Sequence, residues 1–322
     1  MLRILLTLAV IATAAWGGYW FVGARALDRT VTQLLTDHPV LTAEAHVIRG
    51  FPNRFDLTLT APRIQSGSLA WQAPFLQVFA LSYRPHHLIV VFPHDQQASA
   101  PGQTAVLHSE DARASLVMTP EFALPLERSA LVVQAPRLQL DGATHSAETL
   151  RIASRANDAR LHDAVIEIEA AFPDPAVMAK IDPGNHWPRR YDILRLEGQV
   201  QLDRPLDRQA LAGPLPRPVA VRFTGARLAF DGVDLRVAGD VEPDELGRLS
   251  GPVRLTVAGW LALLERLADA EMIDANQAGF LRPMLAGMAD PETPEAIELD
   301  LTLRDGALTI GPVTLLRLPP LF

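Results

Sequence analysis

The sequence predicts a mainly β protein, with an N-terminal transmembrane helix and stalk helix followed by a large antiparallel β-sheet body and a late helical pair. Three observations carry this expectation. The stretch from Ile4 to Ala24 holds no charged residue, two later runs alternate strictly between apolar and polar residues, and Asp-Gly pairs close three of the strand patterns.

The uncharged stretch comes first. Its 21 residues, rising ~1.5 Å each in a helix, reach about 31 Å, the thickness of a bilayer's hydrocarbon core. Trp16, Tyr19, Trp20 and Phe21 sit toward its far end, where amphipathic rings suit the lipid–water interface. The rival reading is a cleaved signal peptide, suggested by the small residues of Ala12-Thr13-Ala14 and Ala24-Arg25-Ala26. Signal peptides have apolar regions of only ~7–15 residues, and cleavage after Ala14 would leave the aromatic residues in water, so a retained anchor is the favoured reading. Arg3 on one side nearly balances Arg25 and Arg29 on the other. Only three residues precede the stretch, which puts the rest of the chain beyond the membrane. In a bacterium the expected location is the inner membrane, crossed once, with the C-terminal body in the periplasm.

Leu27, Val31, Leu34 and Leu35 then follow helical spacing, and Asp37-His38-Pro39 ends the helix because proline disfavours helix in the residue before it. Beyond Pro39 the period changes to two. Phe55, Leu57 and Leu59 alternate with polar residues across 54–60, and Ile297, Leu299, Leu301 and Leu303 do the same across 296–304. Further strand candidates lie at 75–82, 87–93, 104–109, 112–118, 130–134, 137–141, 149–153, 163–169, 193–202, 218–224, 226–231, 233–238 and 252–257. One polar face per strand points to antiparallel sheets with a solvated side. Asp141-Gly142, Asp231-Gly232 and Asp305-Gly306 supply the positive φ angles of tight hairpins.

Proline and glycine thicken between Phe172 and Pro188, and a second cluster spans Pro205 and Pro214 to Pro218. The first reads as a seam and the second as a loop in the later half. Trp260, Leu263, Leu264 and Leu267 share one helical face, as do Phe280, Leu281, Met284, Leu285 and Met288, with Pro283 inside that second pattern. The resulting organisation is an anchor (1–26), a stalk helix (27–39), a first β region (40–170), a Pro/Gly-rich connector (171–190) and a second β region (191–322) with the helical pair near 259–289.

Composition narrows function. With 48% hydrophobic and 20% charged residues the chain forms a core, and its net charge of −8 argues against a nucleic-acid partner or a polybasic lipid-headgroup site. The absence of cysteine removes disulfides, zinc–thiolate sites and thiol nucleophiles. Among nine histidines, the adjacent pair His86-His87 points to opposite strand faces, and neither His-Glu-x-x-His nor His-x-His occurs. No metal site and no cofactor is expected. Gly-x-Ser-x-Gly, phosphate-loop and dinucleotide-binding patterns are also missing, so no enzyme is expected and no catalytic residue is nominated.

Gly50-Phe51-Pro52 reads as a bend between strands, with glycine freeing the backbone, proline fixing φ and Phe51 pinning the corner into the core. After it come Arg54-Phe55-Asp56-Leu57-Thr58-Leu59, then Trp71 with Pro74, Tyr83 with Pro85, Asp305-Gly306, Gly311-Pro312 and the closing Pro319-Pro320-Leu321. With the N-terminal anchor, this set resembles the domain-of-unknown-function 2125 (DUF2125) family of alphaproteobacteria. That resemblance implies no activity and no catalytic residue. More loosely, an anchor followed by a long β-rich domain is similar to AsmA-like envelope proteins, which implies apolar grooves offered to lipid.

Three functions follow as expectations. The first is an anchored periplasmic protein that binds or passes lipid or another apolar ligand. The second is a non-catalytic envelope scaffold or assembly partner, and the third a hydrolase-type enzyme without a recognisable motif. If a lipid groove exists, Phe55, Leu57, Leu59, Leu299, Leu301 and Leu303 are its candidate lining, with ordinary core packing as the competing reading of the same residues.

Overall fold

A computed structural model describes residues 2–37, 40–211, 216–244, 246–289, 291–310 and 313–319. Within them the chain is mostly β, as expected, with a long N-terminal helix, 22 strands and three further α-helices. Gly311, Pro312, His38, Pro39, Pro214, Pro320, Leu321 and Phe322 lie outside the described residues. The chain divides into two compact units, residues 1–134 with 138–141 and 205–215, and residues 135–137 with 142–204 and 216–322.

The first unit begins with α1 (Leu2–Asp37), one unbroken helix that contains both the anchor and the stalk. Its strands follow as β1 (Leu41–Thr42), β2 (Ala45–Arg49), β3 (Arg54–Thr60), β4 (Arg63–Ser66), β5 (Leu69–Gln72) and β6 (Phe75–Leu81), then β7 (Arg84–Phe92), β8 (Asp95–Ala100), β9 (Gln103–His108), β10 (Asp111–Met118), β11 (Leu126–Gln134) and β12 (Arg137–Leu140). They form two antiparallel sheets whose orders run in step, β2-β3-β6-β7-β10-β11 in one and β1-β4-β5-β8-β9-β12 in the other. Each strand of one sheet continues, after a two-residue crease, as the matching strand of the other. The creases fall at Ala61-Pro62, Ala73-Pro74, Pro93-His94 and Ser109-Glu110 among others.

Proline suits a crease because it donates no hydrogen bond and so belongs where the ladder breaks. The exposed backbone groups there are still paired from hairpin to hairpin. Ala61 N–H donates to the Pro74 carbonyl at 2.8 Å, Ala73 N–H to Pro62 at 3.2 Å and Ser109 N–H to His94 at 2.8 Å. Pro62, Ala73, Ser109, Ala112 and Val133 are buried along this line, so the bend itself forms part of the core.

The second unit holds β13 (Ala143–Ser146), β14 (Thr149–Ala156), β15 (Leu161–Ala171), α2 (Pro175–Ile181), β16 (Tyr191–Leu202), β17 (Pro218–Phe230), β18 (Val233–Pro243), β19 (Leu249–Ala258), α3 (Trp260–Asp269), α4 (Ala275–Ala286), β20 (Ala296–Arg304), β21 (Ala307–Ile310) and β22 (Val313–Arg317). From β14 to β22 the strands pair in chain order, each antiparallel to the next. The residues 218–224 and 226–231 form the single strand β17, bent at Gly225 where its register with β18 shifts. All three Asp-Gly pairs turn as expected, both residues having positive φ in each.

The Pro/Gly-rich stretch 171–190 lies inside the second unit, between β15 and β16. There Asp174 caps α2 by accepting from the backbone of Ala176 and Val177, and buried Asp182 accepts from His186 N–H at 3.0 Å and Trp187 N–H at 2.8 Å. Such internal bonding makes a folded turn of a stretch that composition alone reads as a seam. Residues 205–211 belong with the first unit, where Leu126 N–H reaches the Leu206 carbonyl and Arg208 N–H that of Ala123.

The helical pair is present, but its second face is turned differently from expectation. Leu281 and Leu285 of α4 pack toward Trp260, Leu264, Val257 and Ile297, whereas Phe280, Met284 and Met288 are exposed. Five apolar residues at helical spacing span a wider arc than this contact can cover. Pro283 sits within α4 without ending it.

Candidate functional site

Cross-strand register in the second unit builds an apolar wall. Ile152 pairs with Ile166, Ile166 with Leu196, Leu196 with Ala226, Ala226 with Val237, Val237 with Leu255 and Leu255 with Leu299. Six gaps at ~4.8 Å make this row about 29 Å long. A second row on the same face runs from Leu150 through Ile168, Leu194, Leu228, Leu235 and Val257 to Ile297.

One residue further along every strand, the opposite face is charged. Arg151, Glu167, Arg195, Arg227 and Arg236 stand side by side in register. Glu167 accepts from Arg195 at 2.6 Å and Arg151 at 3.3 Å, and Asp234 bridges Arg227 and Arg236 at 2.9 and 2.8 Å. Arg195 above all, then Arg151, holds the Glu167 carboxyl below its ordinary pKa. Burial pushes Asp234 up, but its hydrogen bonds with Arg227 and Arg236 outweigh that and keep it low. These are lattices of permanent ions facing solvent.

The apolar wall is covered at one end only. Over β18–β20, the helices α3 and α4 close on Leu235, Leu255, Val257 and Ile297. Toward β14–β16 the wall is bare, and Ile152, Ile166 and Leu196 remain 38%, 43% and 41% exposed. Between these ends lies an open trough of about 490 Å³, lined by Ile168, Leu194, Leu196, Leu228, Val237 and neighbours. That volume falls within the range of small-ligand sites. His162 extends the same face past Ala164 on β15 and is buried, and its burial lowers the imidazole pKa.

The first unit has apolar faces of its own. Ile48, Leu57, Val78, Val90, Ala114 and Leu131 pair in sequence across one sheet, and Ile64, Trp71, Ala98 and Ala105 across the other. Trp71 meets Phe92 edge-on at 6.2 Å and donates to Gln96 Oε1 at 3.2 Å. Cavities of about 350 Å³ beside Trp71 and about 270 Å³ beside Leu88, Leu116 and Leu206 open on these faces.

The candidate lining residues lie mainly in packed core. Phe55 and Leu59 are buried, and Leu301 and Leu303 are 4% exposed within a cluster containing Val241 and Val253. Leu57 and Leu299 are half-buried members of the two apolar rows. The bare positions Ile152, Ile166 and Leu196 escaped sequence reasoning. Their strands carry apolar alternation, but only register reveals which residues line up and which lack a cover.

The remaining motif residues hold turns and joints. Pro74 closes a crease, Pro85 is the second residue of β7, and Asp305 and Gly306 donate from their backbone N–H groups to Ser250 Oγ and the Leu249 carbonyl. Gly50-Phe51-Pro52 is a corner between β2 and β3, containing a cis Phe51-Pro52 peptide. Phe51 does not enter the core as expected. It is 57% exposed and lies 5.4 Å from both Trp20 and Phe21 of α1, because the corner abuts the helix rather than a second sheet. Among the described residues no cluster of three or more histidines and acids could hold a metal ion.

Such an architecture, a long apolar helix followed by creased antiparallel sheets with uncovered apolar faces, defines a membrane-compatible β-rich class. Residues 20–319 match the family profile described as an uncharacterized protein conserved in bacteria (DUF2125), and the chain belongs to that family. Comparison with curated proteins finds no match. The looser likeness to AsmA-like proteins gains no support from these comparisons.

Proposed function

We propose that this chain is a non-catalytic protein of the bacterial inner membrane, with its body in the periplasm, that binds an extended apolar ligand of lipid type along the sheet face of its second unit. The observation that carries the reading is the bare end of the apolar wall. Exposed branched side chains at Ile152, Ile166 and Leu196, continuous with a trough, leave a large apolar surface in water unless something covers it. The part of the row outside the cover of α3 and α4, from Ile152 to Val237, spans four strand gaps or ~19 Å, and its aliphatic side chains suit an acyl chain. The helix α1 is long and apolar enough to cross a bilayer, which supports a location where such chains are supplied.

Opposing it is the scaffold reading, in which the wall covers another envelope protein and takes no lipid. Mass spectrometry of lipids co-purifying with the full chain in mild detergent decides. Phospholipid retained at fixed stoichiometry after exhaustive detergent exchange supports the proposal. A delipidated protein with no exchange-resistant lipid refutes it.

A further inference from the structure

We propose that the body carries a second membrane contact. The corner Gly50–Asn53 and the neighbouring turn Ser82–Tyr83 dip into the same bilayer that α1 spans, with Phe51 and Tyr83 as interfacial anchors.

The argument begins with depth. Trp16 donates from Nε1 to Asn53 Oδ1 at 3.3 Å, Tyr19 Oη to the Ser82 carbonyl at 2.7 Å and Trp20 Nε1 to the Arg54 carbonyl at 2.6 Å. Both turns therefore sit level with residues 16–20 of the helix. If that level lay in bulk water, only Ile4 to Ala15 would remain to cross the membrane. Twelve residues reach about 18 Å, well short of the ~30 Å hydrocarbon core. Any placement of α1 that spans the bilayer thus carries the two turns into its boundary layer.

Composition fits that depth. Gly50, Phe51, Pro52, Asn53, Ser82 and Tyr83 carry no charge. Arg54, level with Trp20, is paired with Asp56 at 2.7 Å, and Arg25, Arg49 and Arg84 stand exposed nearby in sequence, a basic fringe suited to anionic headgroups. Phe51 and Tyr83 are 57% and 59% exposed, and Trp16, Tyr19 and Phe21 of the helix are 38%, 47% and 54% exposed. Trp16 with Tyr19 and Phe21 with Phe51 form ring pairs on the surface of α1, and Tyr83 follows Ser82, whose carbonyl accepts from Tyr19.

Hydrogen bonding fits as well. A lipid environment requires backbone groups to be satisfied internally. Arg54 N–H donates to the Gly50 carbonyl at 2.9 Å, Ser82 N–H to that of Asn53 at 2.9 Å and Ser82 Oγ to that of Pro52 at 3.3 Å. The tips are bonded to each other and to the helix.

The chain has no cysteine, so single-cysteine variants are readily labelled. Full-length Phe51→Cys, Tyr83→Cys and Ser68→Cys, each carrying an environment-sensitive fluorophore, are reconstituted into vesicles of phosphatidylethanolamine and phosphatidylglycerol. Ser68 lies exposed in the β4–β5 turn and serves as the aqueous control. Labels at 51 and 83 are expected to lose most of their emission to nitroxide lipids and little to iodide, with the reverse at 68. Iodide quenching at 83 equal to that at 68 overturns the proposal. Protection from both quenchers also overturns it, because the cover is then protein. Tyr83 is exposed and in no ring stack, so Tyr83→Cys decides alone if Phe51→Cys does not fold.

Discussion

Trp20 and Phe55 lie stacked, their ring centroids 6.0 Å apart and their planes 18° from parallel, one on α1 and the other on β3. Phe51 meets the same indole edge-on at 5.4 Å, and Trp20 is only 7% exposed. A single indole thus buries its face on the first core strand and its edge on the corner, while its N–H satisfies the Arg54 carbonyl. Trp20 is a joint between helix and sheet.

Replacement at that joint should separate packing from hydrogen bonding. Trp20→Ala removes both ring contacts and is expected to cost ~3–5 kcal/mol, the usual range for a buried tryptophan. Trp20→Phe keeps most of the ring and loses the 2.6 Å hydrogen bond, at a cost of about 1 kcal/mol. Denaturant titration of the full chain in detergent, followed by near-ultraviolet circular dichroism, measures both. Equal losses in the two variants would place the energy in the hydrogen bond instead.

Gly50→Ala tests the corner. Gly50 has φ near +101°, and a Cβ there would lie 2.7 Å from the Arg54 carbonyl oxygen, a backbone atom with little room to move. Strain of this kind costs of order 1–3 kcal/mol before the clash is counted. The expected readout is faster limited proteolysis between β2 and β3. An unchanged digestion pattern would mean that the corner relaxes without harm.

Much of this architecture is legible in the sequence, for a physical reason. The strands 54–60 and 296–304 have one buried face, and half-burial writes itself as alternation. Asp-Gly turns are legible because few other pairs accept positive φ at both positions. The creases are not. Ala61-Pro62 and Ala73-Pro74 look like strand ends, and the strands beyond them, such as Asp95–Ala100 with its Gln96-Gln97, are short and polar. Nor is the apolar wall legible, since it exists only across strands, through pairings such as Ile166 with Leu196. The aromatic cluster at Trp16 to Phe21 is visible in the sequence as a cluster, yet its contacts with Phe51 and Phe55 join residues some 30 positions apart.

His162 gives the chain a pH dependence of defined sign. Burial depresses its folded pKa, with Asp158 opposing only in part. The unfolded imidazole takes up a proton near pH 6.5, whereas the folded one resists until lower pH. Protonation therefore favours unfolding, so stability present above about pH 6.5 falls as pH drops below it and levels off beneath the folded pKa. Denaturant midpoints at about pH 7.5 and 5.5 should differ in the native chain and converge in His162→Gln. A slope that survives the substitution would assign the dependence to other groups.

Two leucines on the second unit's sheet give the sharpest contrast. Leu301 is 4% exposed and packs with Val241, Val253 and Leu303, while Leu196 is 41% exposed on the trough. A carboxylate at Leu301 is buried among the aliphatic side chains of Val241, Val253 and Leu303, a penalty of several kcal/mol that a domain of ordinary stability cannot absorb. A carboxylate at Leu196 reaches water, and the sheet has no reason to unfold. Leu301→Glu should therefore give aggregated or protease-sensitive protein, and Leu196→Glu a folded one with native-like circular dichroism. If lipid lies along the trough, Leu196→Glu also lowers the amount that co-purifies, because a charge now faces the acyl chain. Folded Leu196→Glu protein with an undiminished lipid complement would remove the β15–β17 face from the binding surface and leave the faces of the first unit to account for it.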